Sequence, residues 1–185
     1  MDHQQLVKIS KRMSKALRHD PARVGLTLDP AGWVPVEVFL SAMGISRADL
    51  DEVVAGNDKQ RYAVETGPDG VERIRANQGH SVPVELGLVP QEPPEVLFHG
   101  TGSAALESIR ATGLNRGGRH HVHLSSDADT ARRVGTRRGG AVAILTVRAG
   151  EMARAGHVFY VSGNGVWLTD SVPPVFIQPL REELL

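Results

Sequence analysis

The chain has 185 residues, 41% of them hydrophobic and 23% charged, with a formal net charge of zero, which suits one large globular domain or two small ones. The absence of cysteine excludes disulfides, cysteine–zinc sites and thiol catalysis. No apolar run approaches the roughly 20 residues of a bilayer span, and Met1–Gln5 lacks the basic-then-apolar layout of a signal peptide, so the expectation is a cytoplasmic protein with no membrane partner.

Taken in chain order, the first half reads as helix-rich. Leu6, Ile9, Met13, Ala16 and Leu17 recur at helical spacing, while Lys8, Lys11, Arg12 and Lys15 fall on other faces. Asp20-Pro21 ends that helix. A second helix is expected from Val36 to Met43, opened after Pro35. A third runs from Arg47 to Ala55, with Ser46 as N-cap, Asp49 in its first turn and Gly56-Asn57 at its end. The segments 61–65 and 71–75 alternate like strands around Gly67-Pro68-Asp69-Gly70. Three helices followed by a β-hairpin is the winged-helix order, which serves nucleic-acid and protein partners alike.

Pro83, Pro90, Pro93 and Pro94 crowd the next stretch. Proline at that density breaks helices and forces extended backbone. A domain boundary is expected there, giving residues 1–82, a linker 83–94 and residues 95–185. The second half reads as strand-rich, with short β-type runs at 96–98, 122–124, 141–147, 157–161, 166–169 and 175–177. Helices are expected at 106–111 and 128–134, the latter beside a cap-like Ser126-Asp127. Many short strands with two helices suggest an α+β domain with a split or sandwiched sheet.

Charge is unevenly spread. Residues 1–25 hold six Lys/Arg against two Asp, residues 29–58 one Arg against six carboxylates, and residues 99–140 seven Arg against three carboxylates. Two basic zones separated by an acidic one suggest an anionic ligand held between two parts of the chain. Solvated charged faces would produce the same pattern.

The residues able to do chemistry each carry a structural alternative. Arg18-His19 closes the basic helix, where the helix dipole alone favours cations. The other reading is a pair of donors aimed at a phosphate. Lys59-Gln60-Arg61-Tyr62 opens the hairpin and could touch a phosphate backbone or simply protect a sheet edge. In Val96-Leu97-Phe98-His99-Gly100-Thr101-Gly102 an apolar run stops at a histidine, a glycine that would let a ligand approach the backbone, and a hydroxyl. Arg119-His120-His121-Val122-His123-Leu124-Ser125 is histidine-dense, but no nearby carboxylate or cysteine completes a tetrahedral set. His123 and Ser125 are expected on one strand face, and no metal site is expected. Val134-Gly135-Thr136-Arg137-Arg138-Gly139-Gly140 is a glycine-flanked basic turn, neither a Walker A loop nor a Rossmann fingerprint.

Together these strings resemble the RNA 2′-phosphotransferases of the Tpt1/KptA family. The matching segments are Leu17-Arg18-His19-Asp20-Pro21, Asp58-Lys59-Gln60-Arg61-Tyr62, Phe98-His99-Gly100-Thr101, His121-Val122-His123-Leu124-Ser125, Val134-Gly135-Thr136-Arg137, and Phe159-Tyr160 through Asn164-Gly165-Val166-Trp167-Leu168-Thr169. They follow the family's order and cover nearly the whole chain. The resemblance implies an N-terminal winged-helix lobe that binds RNA and a C-terminal NAD-binding lobe of the ADP-ribosyltransferase fold with a split β-sheet core. It implies a transferase, a monomer, that consumes NAD⁺ and needs no metal. An internal 2′-phosphate of RNA, of the tRNA splice-junction type, would attack the nicotinamide ribose. This would give a 2′-phospho-ADP-ribosylated RNA, then RNA with a free 2′-hydroxyl, nicotinamide and ADP-ribose 1″,2″-cyclic phosphate.

By the same resemblance Arg18, His19, Arg61 and Arg137 form the catalytic set. Arginine forks and a protonated histidine suit a reaction in which charge builds on a phosphoryl group. His99, Gly100 and Thr101 match the first NAD⁺-binding motif, with His99 bonding a ribose hydroxyl. His123 and Ser125 match the second. Val166 falls where many protein-modifying relatives carry a glutamate, and an already ionised phosphate would not need one. The sequence departs from the family pattern at Arg138-Gly139, where His-Gly is expected. Two other readings stay open: a mono-ADP-ribosyltransferase that stops after the first step, on nucleic-acid phosphate termini or protein, and a non-catalytic, NAD-sensing winged-helix regulator.

Overall fold

The computed structural model describes residues 1–57 and 59–178, with Arg138 described by its backbone alone. Asp58, which opens one of the motif strings, lies outside the described residues. The chain has a mixed α+β architecture with several small antiparallel sheets. It divides into two compact units, Met1–Gly87 and Leu88–Leu185.

The first unit is built on helix α1 (His3–Arg18). Asp2 caps it by accepting from the Gln5 backbone at 2.8 Å, while the Gln5 side chain answers the Asp2 amide at 3.3 Å. The apolar stripe buries Met13, Ala16 and Leu17, and burying a side chain such as Leu17 stabilises the fold by about 1.5–3 kcal/mol. Next come strand β1 (Val34–Pro35), α2 (Val36–Met43), α3 (Arg47–Ala55), β2 (Tyr62–Thr66) and β3 (Glu72–Ala76). Ser46 and Asp49 form a reciprocal cap on α3, and α2 occupies its expected span. The hairpin is joined by β1, giving the antiparallel order β1-β3-β2. Strand β1 has no signal in sequence: two residues show no alternation, and Pro35 is tolerated because β1 is an edge strand. Phe39, Leu50, Val53 and Ile74 close the core between helices and sheet.

The second unit runs β4 (Leu97–Gly102), α4 (Leu106–Thr112), β5 (Leu114–Asn115), β6 (Val122–Leu124), α5 (Ala128–Gly135), β7 (Val142–Val147), α6 (Ala149–Arg154), β8 (Phe159–Val161), β9 (Trp167–Thr169), β10 (Ser171–Val172) and β11 (Ile177–Gln178). Two three-stranded antiparallel sheets, β11-β7-β4 and β6-β9-β8, are tied by a bridge between Phe98 and Ser125. The pair β10-β5 stands apart. Leu97, Leu124, Leu145, Val147, Met152 and Phe159 form a second core.

Besides β1, β5 and β10, other features differ from the sequence expectation. Strand β4 does not stop at Phe98. It continues to Gly102 because Val142–Leu145 of β7 offers backbone partners along the whole run. Residues Pro174–Phe176 form a 3-10 turn rather than a strand, leaving only Ile177–Gln178 paired to β7. Helix α6 was not expected, since Gly150 weakens helical propensity. Its reason is tertiary: a Cβ at Gly150 would lie 2.3 Å from the Glu95 carboxylate, and the Gly150 amide donates to the Glu95 carbonyl. No described helix is long and apolar enough to cross a membrane.

Candidate active site

In the first unit, Arg18 and His19 sit at the C-terminal end of α1, where Lys15 and Arg18 face the negative pole of the dipole. The chain after β3 returns to this end. The Ser81 and Val82 amides both donate to the Arg18 carbonyl, at 2.8 and 3.3 Å, and the Ser81 hydroxyl lies 2.9 Å from His19 Nδ1. Arg61 precedes β2 and is pinned by the Asn77 amide donating to its carbonyl at 2.9 Å. Gln60 beside it has φ of 40°, a left-handed turn that non-glycine residues seldom adopt. Tyr62 follows Arg61, and its buried hydroxyl donates to the Ser10 carbonyl of α1 at 2.7 Å. Burial raises the Tyr62 pKa, and the positive charges of Arg18 and Arg61 oppose that rise. Both guanidinium groups therefore stand within electrostatic reach of one hydroxyl, although 43 positions separate them in sequence.

In the second unit, His99 lies within β4, not past its end. Its Nδ1 is 2.9 Å from the His123 carbonyl oxygen. A carbonyl only accepts, so Nδ1 carries the proton. Burial is the main influence lowering the His99 pKa, with Arg119 adding to it and the His123 bond opposing it. The ring is thus neutral near pH 7, and Nε2 is left as an acceptor. Ser125 exchanges backbone bonds of 2.7 and 2.8 Å with Phe98, so the two predicted NAD motifs meet through main chain.

Gly100 has a packing reason. A Cβ there would lie 1.7 Å from the Ala131 carbonyl oxygen, so the close approach is made by α5 on that face. Gly135 faces it, and its missing Cβ would sit 3.2 Å from the Thr101 amide. This glycine pair lets the end of α5 lie on β4 and starts the 3-10 turn Thr136–Arg138, which carries the exposed Arg137 alongside β4. The Arg138 side chain, at the departure from the family pattern, lies outside the described residues. Val166 is half-buried in a tight turn, its amide donating to Ser162 Oγ at 3.1 Å. His121 packs against the Tyr160 ring, with centroids 5.5 Å apart. Among the described residues no group of three or more His, Asp or Glu is placed to hold a metal ion. Two surface clefts, of about 360 and 370 Å³, contain none of the predicted site residues.

Sequence reasoning missed Ser81. A contact spanning 62 positions leaves no trace in spacing, and the neighbouring Gly79 was the only local hint, as a residue suited to a sharp turn.

These features define an α+β protein whose candidate residues are chiefly guanidinium and imidazole groups set on two compact units. The chain belongs to the RNA 2′-phosphotransferase, Tpt1 / KptA family, whose sequence profile matches residues 4–171. A protein of Streptomyces griseus named as a probable RNA 2′-phosphotransferase is 58% identical over 186 residues, covering 96% of this chain and 98% of the relative. Proteins of the same name from Trichormus variabilis and Herpetosiphon aurantiacus are 51% and 50% identical, covering 98% and 96% of this chain and 100% and 98% of the relatives.

Proposed function

We propose that the chain removes an internal 2′-phosphate from RNA and transfers it to NAD⁺. Membership of the family supports the RNA 2′-phosphate as substrate. The observation that carries the reading furthest is the tie between the two motif segments: Arg18 and His19 close α1, and Tyr62, next to Arg61, bonds back to α1 through its hydroxyl on the Ser10 carbonyl. Arginine forks in that arrangement suit the oxygens of a phosphate monoester.

In this reading the first unit is a winged-helix, RNA-binding lobe and the second an NAD-binding lobe of the ADP-ribosyltransferase type. NAD⁺, as a consumed substrate, supplies the ribosyl carbon that accepts the phosphate and nicotinamide as leaving group. His99 suits the donor ribose, because its Nε2 lone pair can accept from a ribose hydroxyl. Gly100 and Thr101 border it on β4, and His123 and Ser125 hold it through main chain. Val166 occupies the position where a glutamate would activate a protein acceptor, which an ionised phosphate does not require. Arg18 and Arg61 clamp the phosphate. His19 bonds the phosphate or moves the proton that the RNA 2′-oxygen must gain. Arg137 neutralises charge while the ribose 2″-oxygen attacks phosphorus and the RNA 2′-oxygen departs.

The test is incubation of the purified protein with NAD⁺ and an oligonucleotide bearing one internal 2′-phosphate. Nicotinamide, ADP-ribose cyclic phosphate and RNA with a free 2′-hydroxyl are expected, and Arg137→Ala should accumulate ADP-ribosylated RNA. Wild-type protein that stops at ADP-ribosylated RNA is a mono-ADP-ribosyltransferase instead. Binding of both ligands without nicotinamide release makes the chain a non-catalytic sensor.

A further inference from the structure

We infer that Ser81 is a positioning residue for His19, occupying Nδ1 so that Nε2 is the nitrogen turned to the RNA phosphate. The inference rests on the catalytic reading of His19. The placement of Ser81 is built by the segment that follows β3. Gln78, Gly79 and His80 are buried, Gly79 takes φ of 87°, and the chain then meets the end of α1. There the Ser81 and Val82 amides satisfy the Arg18 carbonyl, one of the acceptors that a helix C-terminus leaves without an intrahelical partner.

This double backbone bond fixes where the Ser81 side chain starts. Its Oγ then lies 2.9 Å from His19 Nδ1 and 3.5 Å from the Arg18 oxygen. A hydroxyl has one proton and two acceptor lone pairs. It can accept from Nδ1–H and still point its own proton toward Arg18. It can equally donate to an unprotonated Nδ1. In both arrangements Nδ1 is spoken for and the ring plane is set. His19 is solvent-exposed, so an anchored nitrogen limits the rotation of its ring. A misdirected imidazole loses most in the transition state, where bond directions are strictest.

The experiment compares Ser81→Ala, Ser81→Thr and His19→Ala in steady-state kinetics with NAD⁺ and a 2′-phosphorylated oligonucleotide, alongside thermal unfolding and ¹⁵N NMR of the His19 ring. Ser81→Ala keeps both amide bonds to Arg18, so the melting midpoint should be nearly unchanged. Its kcat should fall about five- to ten-fold, the loss expected for one hydrogen bond, with KM for RNA unchanged. The Nδ1 resonance should shift. Ser81→Thr retains the hydroxyl and should recover most of kcat. Wild-type kcat in Ser81→Ala, or a Thr variant no better than Ala, overturns the positioning role while leaving His19 intact as a catalytic residue. Full turnover by His19→Ala would instead remove the reading on which the inference stands.

Discussion

His99 shows how a single side chain acquires a defined chemical state. Spacing marks it as a histidine after an apolar run. Only the His123 carbonyl decides that Nδ1 holds the proton, and burial, with Arg119 beside it, lowers the ring's pKa. The sign of the consequence is fixed. A histidine whose folded pKa lies below its ordinary 6.5 binds fewer protons in the folded than in the unfolded chain over that interval. Its contribution is fully present above pH 6.5 and is lost as pH falls through 6.5 toward the folded value. Urea unfolding between about pH 5 and 8 should therefore show wild-type protein weakening toward acid more steeply than His99→Gln. His121, also lowered by burial, adds a slope of the same sign in both proteins. Parallel curves would place the proton elsewhere. Ser81 is the opposite case, a residue whose contact with His19 has no counterpart in local pattern.

At the scale of elements, the joint between β4 and α5 governs the second unit. Gly100 and Gly135 remove two side chains so that a helix can rest on a strand, and the joint delivers Arg137 beside β4. Gly100→Ala places a methyl 1.7 Å from a backbone oxygen, which cannot move without dislodging α5. A loss of about 3 kcal/mol or more is expected by chemical denaturation. Gly102→Ala, with nothing within 4 Å of its Cβ, should stay within about 0.5 kcal/mol of wild type. Equal effects at the two positions would refute the packing reason. Elements with strong local signals were readable: α2 and α3 carry proline or cap residues at their starts, and β2 and β3 alternate around a glycine turn. The strand β1, helix α6 and the extension of β4 were not, because each owes its existence to a partner distant in sequence.

For the whole molecule, zero net charge argues against general attraction to RNA. The distribution argues for a local one. Lys8, Lys11 and Lys15 line the exposed face of α1 opposite Met13 and Leu17, and Lys8 and Lys15 are about 10 Å apart along the axis. None of these lysines enters an ion pair among the described residues. The stripe leads to Arg18-His19 and could follow the phosphates that flank the one removed. Replacing all three lysines with alanine keeps the helix and should lower the slope of log affinity against log salt by about 2, at roughly 0.7 per phosphate contact on single-stranded RNA. A slope equal to that of wild type would make the stripe a solvated face.

The sequence by itself determined the family, the α+β content and the identity of the residues with chemical potential, because motif strings, helix caps and alternation are local and survive without coordinates. Tertiary structure alone decided the states and neighbours of those residues: which nitrogen of His99 accepts, why position 100 must be glycine, and that Ser81 reaches His19. Such properties depend on burial and on contacts between distant segments, and neither is written in residue spacing.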